Sequence, residues 1–193
     1  MTSKVENVNM EFPVIKTARL LLRAFELRDA LEVQRMAGNP KVAATTAMIP
    51  HPYPDGIAEA WISKHLDWYK NGSSVDFAIE LQTTQKLIGN ISLFFDKINH
   101  KAEIGYWIGE EFWNHGYCTE AMQAAIDYAF TVRGANKIVC RHMSTNPASG
   151  KVMIKNGMTQ EGVFKHDVYK DGRFVDMIIY GMLSLEWEFR DQY

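Results

Sequence analysis

The residues with the most chemical potential are consecutive: Glu103-Ile-Gly-Tyr-Trp-Ile-Gly-Glu-Glu-Phe-Trp-Asn-His-Gly-Tyr-Cys-Thr-Glu120. A strand-like run ends in a tight turn at His115-Gly116-Tyr117 and passes directly into an amphipathic helix. The first amides of a helix have no acceptor within it, and the helix dipole adds positive potential at the same end. Such a turn is a seat for an anion, phosphate above all. Gly116 has no side chain to keep an anion from the backbone, although a glycine before a helix also serves simply to turn the chain. GxGxxG and GxxxxGK[ST] are both absent, so neither a dinucleotide fold nor a P-loop is supported. His115 and Cys118 are metal-ligand types, but two ligands on one turn without a second pair cannot complete a tetrahedral site, and no metal is expected. Cys118 would gain thiolate character only if the helix end were accessible; burial would make it a small apolar filler.

The elements that must position this segment follow from period and punctuation. Arg19 to Phe25 reads as a strand, and Arg28 to Ala37 as a short helix stopped by Gly38-Asn39-Pro40. Lys41 to Pro54, with prolines at 50, 52 and 54, reads as loop. Asp55-Gly56 opens a second helix carrying Ile57, Trp61, Ile62 and Tyr69. Val75 to Leu81, Leu87 to Phe95 and Ala102 to Gly109 read as an antiparallel meander. After Gly116 the stripe Met122, Ala125, Ile126, Ala129, Phe130 predicts a one-sided helix ending at Gly134. Ile138 to Met143 is β-rich, and Asn146-Pro147 starts a helix closed by Asn156-Gly157. Val163 to Tyr169 and Phe174 to Leu185, joined through Asp171-Gly172, predict a hairpin. Residues 1–16 are expected to be an irregular lead-in, and residues 1–193 a single domain without linker or repeat.

Composition narrows the class of partner. The 193 residues carry 21 Lys and Arg against 23 Asp and Glu, a net charge of −2, so no global field draws the chain to nucleic acid or an anionic membrane. The longest stretch without Asp, Glu, Lys or Arg, Val42 to Pro54, is shorter than the ~20 apolar residues of a spanning helix. The N-terminus lacks the apolar core of a secretory signal. Two cysteines, Cys118 and Cys140, form no CxxC pair. A soluble, cytoplasmic protein without a metal is expected.

Taken together, the motifs resemble the GNAT superfamily of acyl-CoA-dependent N-acetyltransferases. Thr17-Ala-Arg-Leu-Leu-Leu-Arg23 with Asp29-Ala30 is similar to the opening strand and helix of the branch that acetylates ribosomal-protein N-termini. Ala102 to Gly109 and Asn114 to Ala121 resemble that branch's fourth strand and pyrophosphate loop. Asn146-Pro-Ala-Ser149, Lys155-Asn-Gly-Met and Glu161-Gly162 resemble its fifth-strand exit and the helix after it. The resemblance spans residues 16–187. In the loop, commonly [RQ]xxGx[GA], Trp113 takes the first place and Cys118 the last, and Asn114 stands where the branch often has glycine. Backbone amides belong to every non-proline residue, so these departures bear on loop shape and affinity. The resemblance implies an α/β fold with a mixed, mostly antiparallel sheet of about seven strands flanked by about four helices.

It also implies a site. The backbone of Trp107, Ile108 and Gly109 would pair with the pantetheine arm of acetyl-CoA, and the amides of His115, Gly116, Tyr117, Cys118 and Thr119 would cradle its pyrophosphate. Asn146 would bind the arm near the thioester. Ser149 would stand at the sulfur as a donor, or would satisfy a backbone group at the helix start. His51, Tyr53 and Trp61 would line the acceptor side, or pack their Pro-rich connection. An alkyl amine with a pKa near ~10.4 is protonated at pH 7, so attack on the thioester needs a base. Glu103 is the first candidate, with Asp76, His166 and Asp167 as substitutes, Tyr169 as a possible acid, and a cross-strand ion pair as the other reading of Glu103. The acceptor would be a primary amine, a protein N-terminus ahead of a polyamine or aminoglycoside. A non-catalytic acyl-CoA-binding module, and a monomer or a homodimer, are both compatible with the sequence.

Overall fold

The computed structural model describes residues 11–188. One sheet contains β1 (Ile15–Lys16), β2 (Leu20–Ala24), β3 (Ser74–Leu81), β4 (Leu87–Asp96), β5 (Lys101–Ile108), β6 (Lys137–Met143), β7 (Thr159–Lys170) and β8 (Arg173–Leu183), in the order β1-β2-β3-β4-β5-β6-β8-β7. Every neighbouring pair is antiparallel except β5 and β6, which run parallel. The helices among the described residues are α1 (Ala30–Ala37), α2 (Pro40–Ala44), α3 (Ile57–Ile62), α4 (His65–Asn71), α5 (Tyr117–Thr131), α6 (Pro147–Lys155) and α7 (Ser184–Glu188). None is long and apolar enough to cross a membrane.

Strand alternation divides the core into two layers. Phe77, Ile91, Leu93 and Ile104 pack on Met122, Ile126 and Ala129 of α5. On the opposite face, Ala78 and Trp107 meet Val33 and Met36 of α1 and Ile62 of α3. The Asp171-Gly172 turn has φ of 49° and 80°, the left-handed pair that matches a hairpin's twist.

The sheet has eight strands where the resemblance implies about seven, and the helices are more numerous and shorter. The extra strand, β1, is two residues that pair with Leu21 and Leu22 at the end of the expected irregular lead-in; residues 1–10 lie outside the described residues. Part of the expected loop is helical. Asn39 Oδ1 accepts from the Lys41 amide at 2.8 Å and Pro40 occupies the first turn, so α2 is nucleated by its own cap. The second helix is divided into α3 and α4. The Ser63 hydroxyl donates to the Ala60 carbonyl at 3.0 Å, competing with the backbone at the division.

Candidate active site

The site begins where two strands part. β5 and β6 are in register through Lys101↔Lys137, Ala102↔Ile138, Glu103↔Val139 and Ile104↔Cys140, and no further. At the last pair the Cys140 thiol donates to the Ile104 carbonyl at 3.1 Å. Beyond it β5 still pairs with β4, Gly105 opposite Ser92 and Trp107 opposite Asn90. The Gly109 amide donates to the Ile88 carbonyl at 2.9 Å, which sets the phase of the ladder. By antiparallel alternation, Gly105, Trp107 and Gly109 turn their backbone groups to β4, and Tyr106 and Ile108 turn theirs to the open side. Of the latter, the Ile108 carbonyl is taken by the Trp113 indole at 2.7 Å. The groups left on the edge are therefore the amide and carbonyl of Tyr106 and the amide of Ile108. Of the three residues expected to offer a strand-like edge, Ile108 faces the open side together with Tyr106, whereas Trp107 and Gly109 face β4. The bond to the Ile108 carbonyl also explains Trp113 in a place commonly held by Arg or Gln: its indole ties the loop back to β5.

The split opens a cleft of about 1090 Å³ that passes from one face of the sheet to the other. On the α5 side it is lined by Asn114, Gly116, Tyr117, Cys118 and Thr119. Gly116 has φ 77° at the start of α5, a conformation that disfavours other residues. The first helical bond is from the Glu120 amide to the Gly116 carbonyl. Among the described residues, no protein acceptor takes the five amides from His115 to Thr119. Arg19 braces this turn: its Nη1 donates to the His115 carbonyl at 2.9 Å, its Nε pairs with Glu120 at 2.6 Å, and its guanidinium lies over the Tyr117 ring. The His115 ring stacks on Tyr117 outside the cleft lining. Cys118 is half-buried in the cleft lining, and desolvation pushes its thiol well up, away from thiolate character. Among the described residues no three His, Cys, Asp or Glu are grouped to hold a metal.

α6 closes one wall. Asn146 caps it, its Oδ1 accepting from the Ser149 amide at 3.3 Å, and its Nδ2 donates to the Thr45 carbonyl at 3.1 Å. One side chain thus ties α6 to the end of α2 and leaves one N–H for a ligand. The Ser149 hydroxyl lies 2.6 Å from the Tyr106 hydroxyl. Burial pushes the Tyr106 phenol well up, beyond what its bond to Ser149 restores. Tyr106 was absent from the sequence-derived site because its partner lies 43 residues away; strand alternation gave only its face.

On the α1–α4 side the lining includes Thr45, Ile49, Tyr53, Trp61, Trp107 and the carboxylates Asp76, Glu103 and Asp167. His51 and His166 are exposed and outside it; His166 stacks on Phe174. Tyr169 is exposed against Phe174, also outside. Glu103 is held by Arg141 through two bonds, Nε to Oε1 at 2.7 Å and Nη2 to Oε2 at 3.2 Å. Both of its oxygens are engaged, the cross-strand pair considered from sequence.

Comparison with known proteins accords with this geometry. The acetyltransferase (GNAT) domain family matches residues 19–159. The uncharacterized N-acetyltransferase p20 of Bacillus licheniformis is 31% identical over 173 residues, 89% of this chain and 96% of that protein. The putative ribosomal N-acetyltransferase YdaF of Bacillus subtilis is 38% identical over 103 residues, 53% of this chain and 56% of that one. The solved structure of RimL, a ribosomal L7/L12 alpha-N-protein acetyltransferase in complex with coenzyme A, shares the fold with a TM-score of 0.80 at 22% identity, covering 89% of this chain and 98% of that one. With a split sheet, a row of unpartnered amides at a helix start and a family match over most of its length, the chain belongs to the GNAT acetyltransferases and is an acetyl-CoA-dependent N-acetyltransferase.

Proposed function

We propose that the acceptor is the α-amine of a polypeptide, of the ribosomal-protein kind, acetylated in the cytoplasm. The observation that carries this is the acceptor wall: Ile49, Tyr53, Trp61 and Trp107 form an apolar surface along the sheet, suited to the side chains that follow an N-terminus. A polyamine calls for several spaced free carboxylates. Here Glu103 is neutralised by Arg141, and Asp76 and Asp167 are separated, one buried in the floor and one exposed on β7. The partial likeness to YdaF supports the same acceptor.

When bound, acetyl-CoA supplies an activated acetyl thioester. The amides of residues 115–119 hold its pyrophosphate, and Tyr106 and Ile108 offer the strand edge to its arm, with the remaining N–H of Asn146 beside them. Trp107 and Gly109 contribute shape. Ser149, backed by Tyr106, donates toward the departing sulfur. The Glu103–Arg141 pair joins β5 to β6 where the split begins. Positioning and preorganised donors do most of the work, because a thiol with a free pKa near ~8.5 is already a tolerable leaving group.

The test is thiol release with a panel of acceptors: N-terminal peptides, spermidine and an aminoglycoside. Peptides should exceed the small amines in kcat/KM by at least about tenfold, the ~1.4 kcal/mol of one good contact. A reversed order assigns a small amine. Saturable acetyl-CoA binding with no transfer to any acceptor assigns a binding module.

A further inference from the structure

The floor of the acceptor side contains a carboxylate in an unusual setting. Asp76 is 2% exposed, and its oxygens accept from two hydroxyls, Ser74 Oγ at 2.6 Å and Ser92 Oγ at 2.5 Å. No Lys, Arg or His nitrogen lies within 4.0 Å of it among the described residues. The arginines on the elements around it are paired elsewhere, and the ring nitrogens of His65 make no hydrogen bond. Arg23 of β2 is bound to Glu80 and Asp29, and Arg141 of β6 to Glu103. His65 of α4 is buried, its pKa pushed down by desolvation against the pull of Asp76. A buried carboxylate without a cation is costly, and such a group in a cleft is a candidate for function.

The sheet register supplies its connection to the reaction. Asp76 is opposite Ser92 on β4, and Ser92 is opposite Gly105 on β5. Gly105 is the first residue past the last β5–β6 pair, so this row runs from the buried carboxylate to the point where the sheet opens. Having no side chain, Gly105 leaves the row uncovered; a Cβ there would touch the Phe94 ring at 3.4 Å. Asp76, Ser92 and Gly105 all line the cleft. Ser92 has one proton to donate, and of its two acceptors Asp76 at 2.5 Å is nearer than Asn90 Oδ1 at 3.1 Å. The Ser92 oxygen is then oriented to accept from a donor in the cleft.

We propose that Asp76 is the proton acceptor for the incoming ammonium, reached through the Ser92 hydroxyl. The inference rests on the amine-acetylation reading, not on the acceptor being a polypeptide. The ammonium proton passes to Ser92 Oγ as the Ser92 proton passes to Asp76 Oδ1, leaving a neutral amine and a protonated carboxyl. The nitrogen lone pair forms the C–N bond to the thioester carbonyl carbon. The C–S bond breaks with its electron pair on sulfur, and the second proton lost from nitrogen ends on that sulfur by way of Ser149, giving amide and free thiol. Asp76 returns its proton to solvent. Glu103, held by Arg141, is outside this path.

The test is the pH dependence of kcat/KM for wild type, Asp76→Asn and Ser92→Ala, with one peptide acceptor and thermal melts as folding controls. A wild-type enzyme that transfers to no amine refutes the function proposed above, which separates that failure from this one. With an active wild type, Asp76→Asn should be about 10²-fold slower near pH 6, the lower end of the usual general-base contribution. The deficit should shrink about tenfold per pH unit toward pH 8, as an α-amine with a pKa near ~7.7–8.0 deprotonates unaided. Ser92→Ala should show the same narrowing with a smaller deficit, and it decides the matter if the Asn variant does not fold. A deficit equal at every pH, the mark of a purely structural role, or no deficit, overturns the proposal.

Discussion

Two hydroxyls 2.6 Å apart, on Tyr106 and Ser149, connect a sheet strand to the start of a helix, and the proposed reaction puts the departing sulfur beside them. With its phenol pushed up by burial, Tyr106 stays protonated through the neutral range and keeps Ser149 oriented. Ser149→Ala should lower kcat about 10- to 100-fold, from the ~1.5–3 kcal/mol of a hydrogen bond to a charged group, with acetyl-CoA affinity retained in calorimetry. At Gly116 the obstacle to substitution is conformational. The nearest heavy atom to an added Cβ is Arg19 Nη2 at 3.5 Å, whereas φ is 77°. Gly116→Val should therefore cost about 1–3 kcal/mol of strain and weaken coenzyme A binding in calorimetry; unchanged affinity would remove the phosphate-cradle role. Much of this residue set was legible because it lies in one continuous run, Gly105 to Thr119, or in the short capped motif Asn146 to Ser149. Tyr106–Ser149 and Asp76–Ser92 were not, since each pair is made by tertiary register between segments that carry no mutual signal in the chain.

At the scale of elements, local rules were informative wherever punctuation was strong. Gly116, Asn146-Pro147 and Asp171-Gly172 each mark an observed boundary. Asn39-Pro40 carries the same cap-and-proline signature as Asn146-Pro147, yet the prolines further along disguised α2 as loop. β1 has only two paired residues, too few for a periodic pattern. Asn146 is the element-scale hinge pin, capping α6 while its amide donates to Thr45 across 101 residues of sequence. Asn146→Ala should lower the denaturation midpoint by the equivalent of about 0.5–2 kcal/mol, the worth of a cap, and raise KM for the acceptor more than it changes kcat. Equal midpoints in urea would place the cap bond outside the stability of the fold.

For the whole molecule, the firmest electrostatic element is the network of Arg23 with Asp29 and Glu80, mostly removed from water. Burial alone would push the Asp29 carboxyl up, but bonds from Arg23 and the Glu26 amide outweigh it and hold its pKa below the ordinary value. Its contribution to stability is complete above the unfolded value near ~3.9 and is lost as pH falls through the lower folded value. Asp29→Asn should destabilise by about 3–5 kcal/mol at neutral pH, the cost of breaking a buried pair. Urea midpoints taken between pH 7 and pH 2 should show a constant gap to wild type that closes only below about pH 4.

The parting of β5 from β6 also has a consequence for how the chain assembles. β1 to β5 is a run of sequential antiparallel neighbours, and β6, β8 and β7 form a second compact group. Four register pairs join the two groups, against eight between β4 and β5 and seven between β6 and β8. That seam is also the parallel one, closed only after α5 has crossed over, so it forms late and opens first. Amides of β6 facing the seam should exchange with deuterium sooner than those of β3 and β4. Tyr106, Ile108 and the 115–119 turn belong to the first group, and α6 with Asn146 and Ser149 to the second, so the proposed donor cleft gains its second wall only in the last docking event of folding, and a chain arrested before that event lacks this wall however much of its sheet has formed.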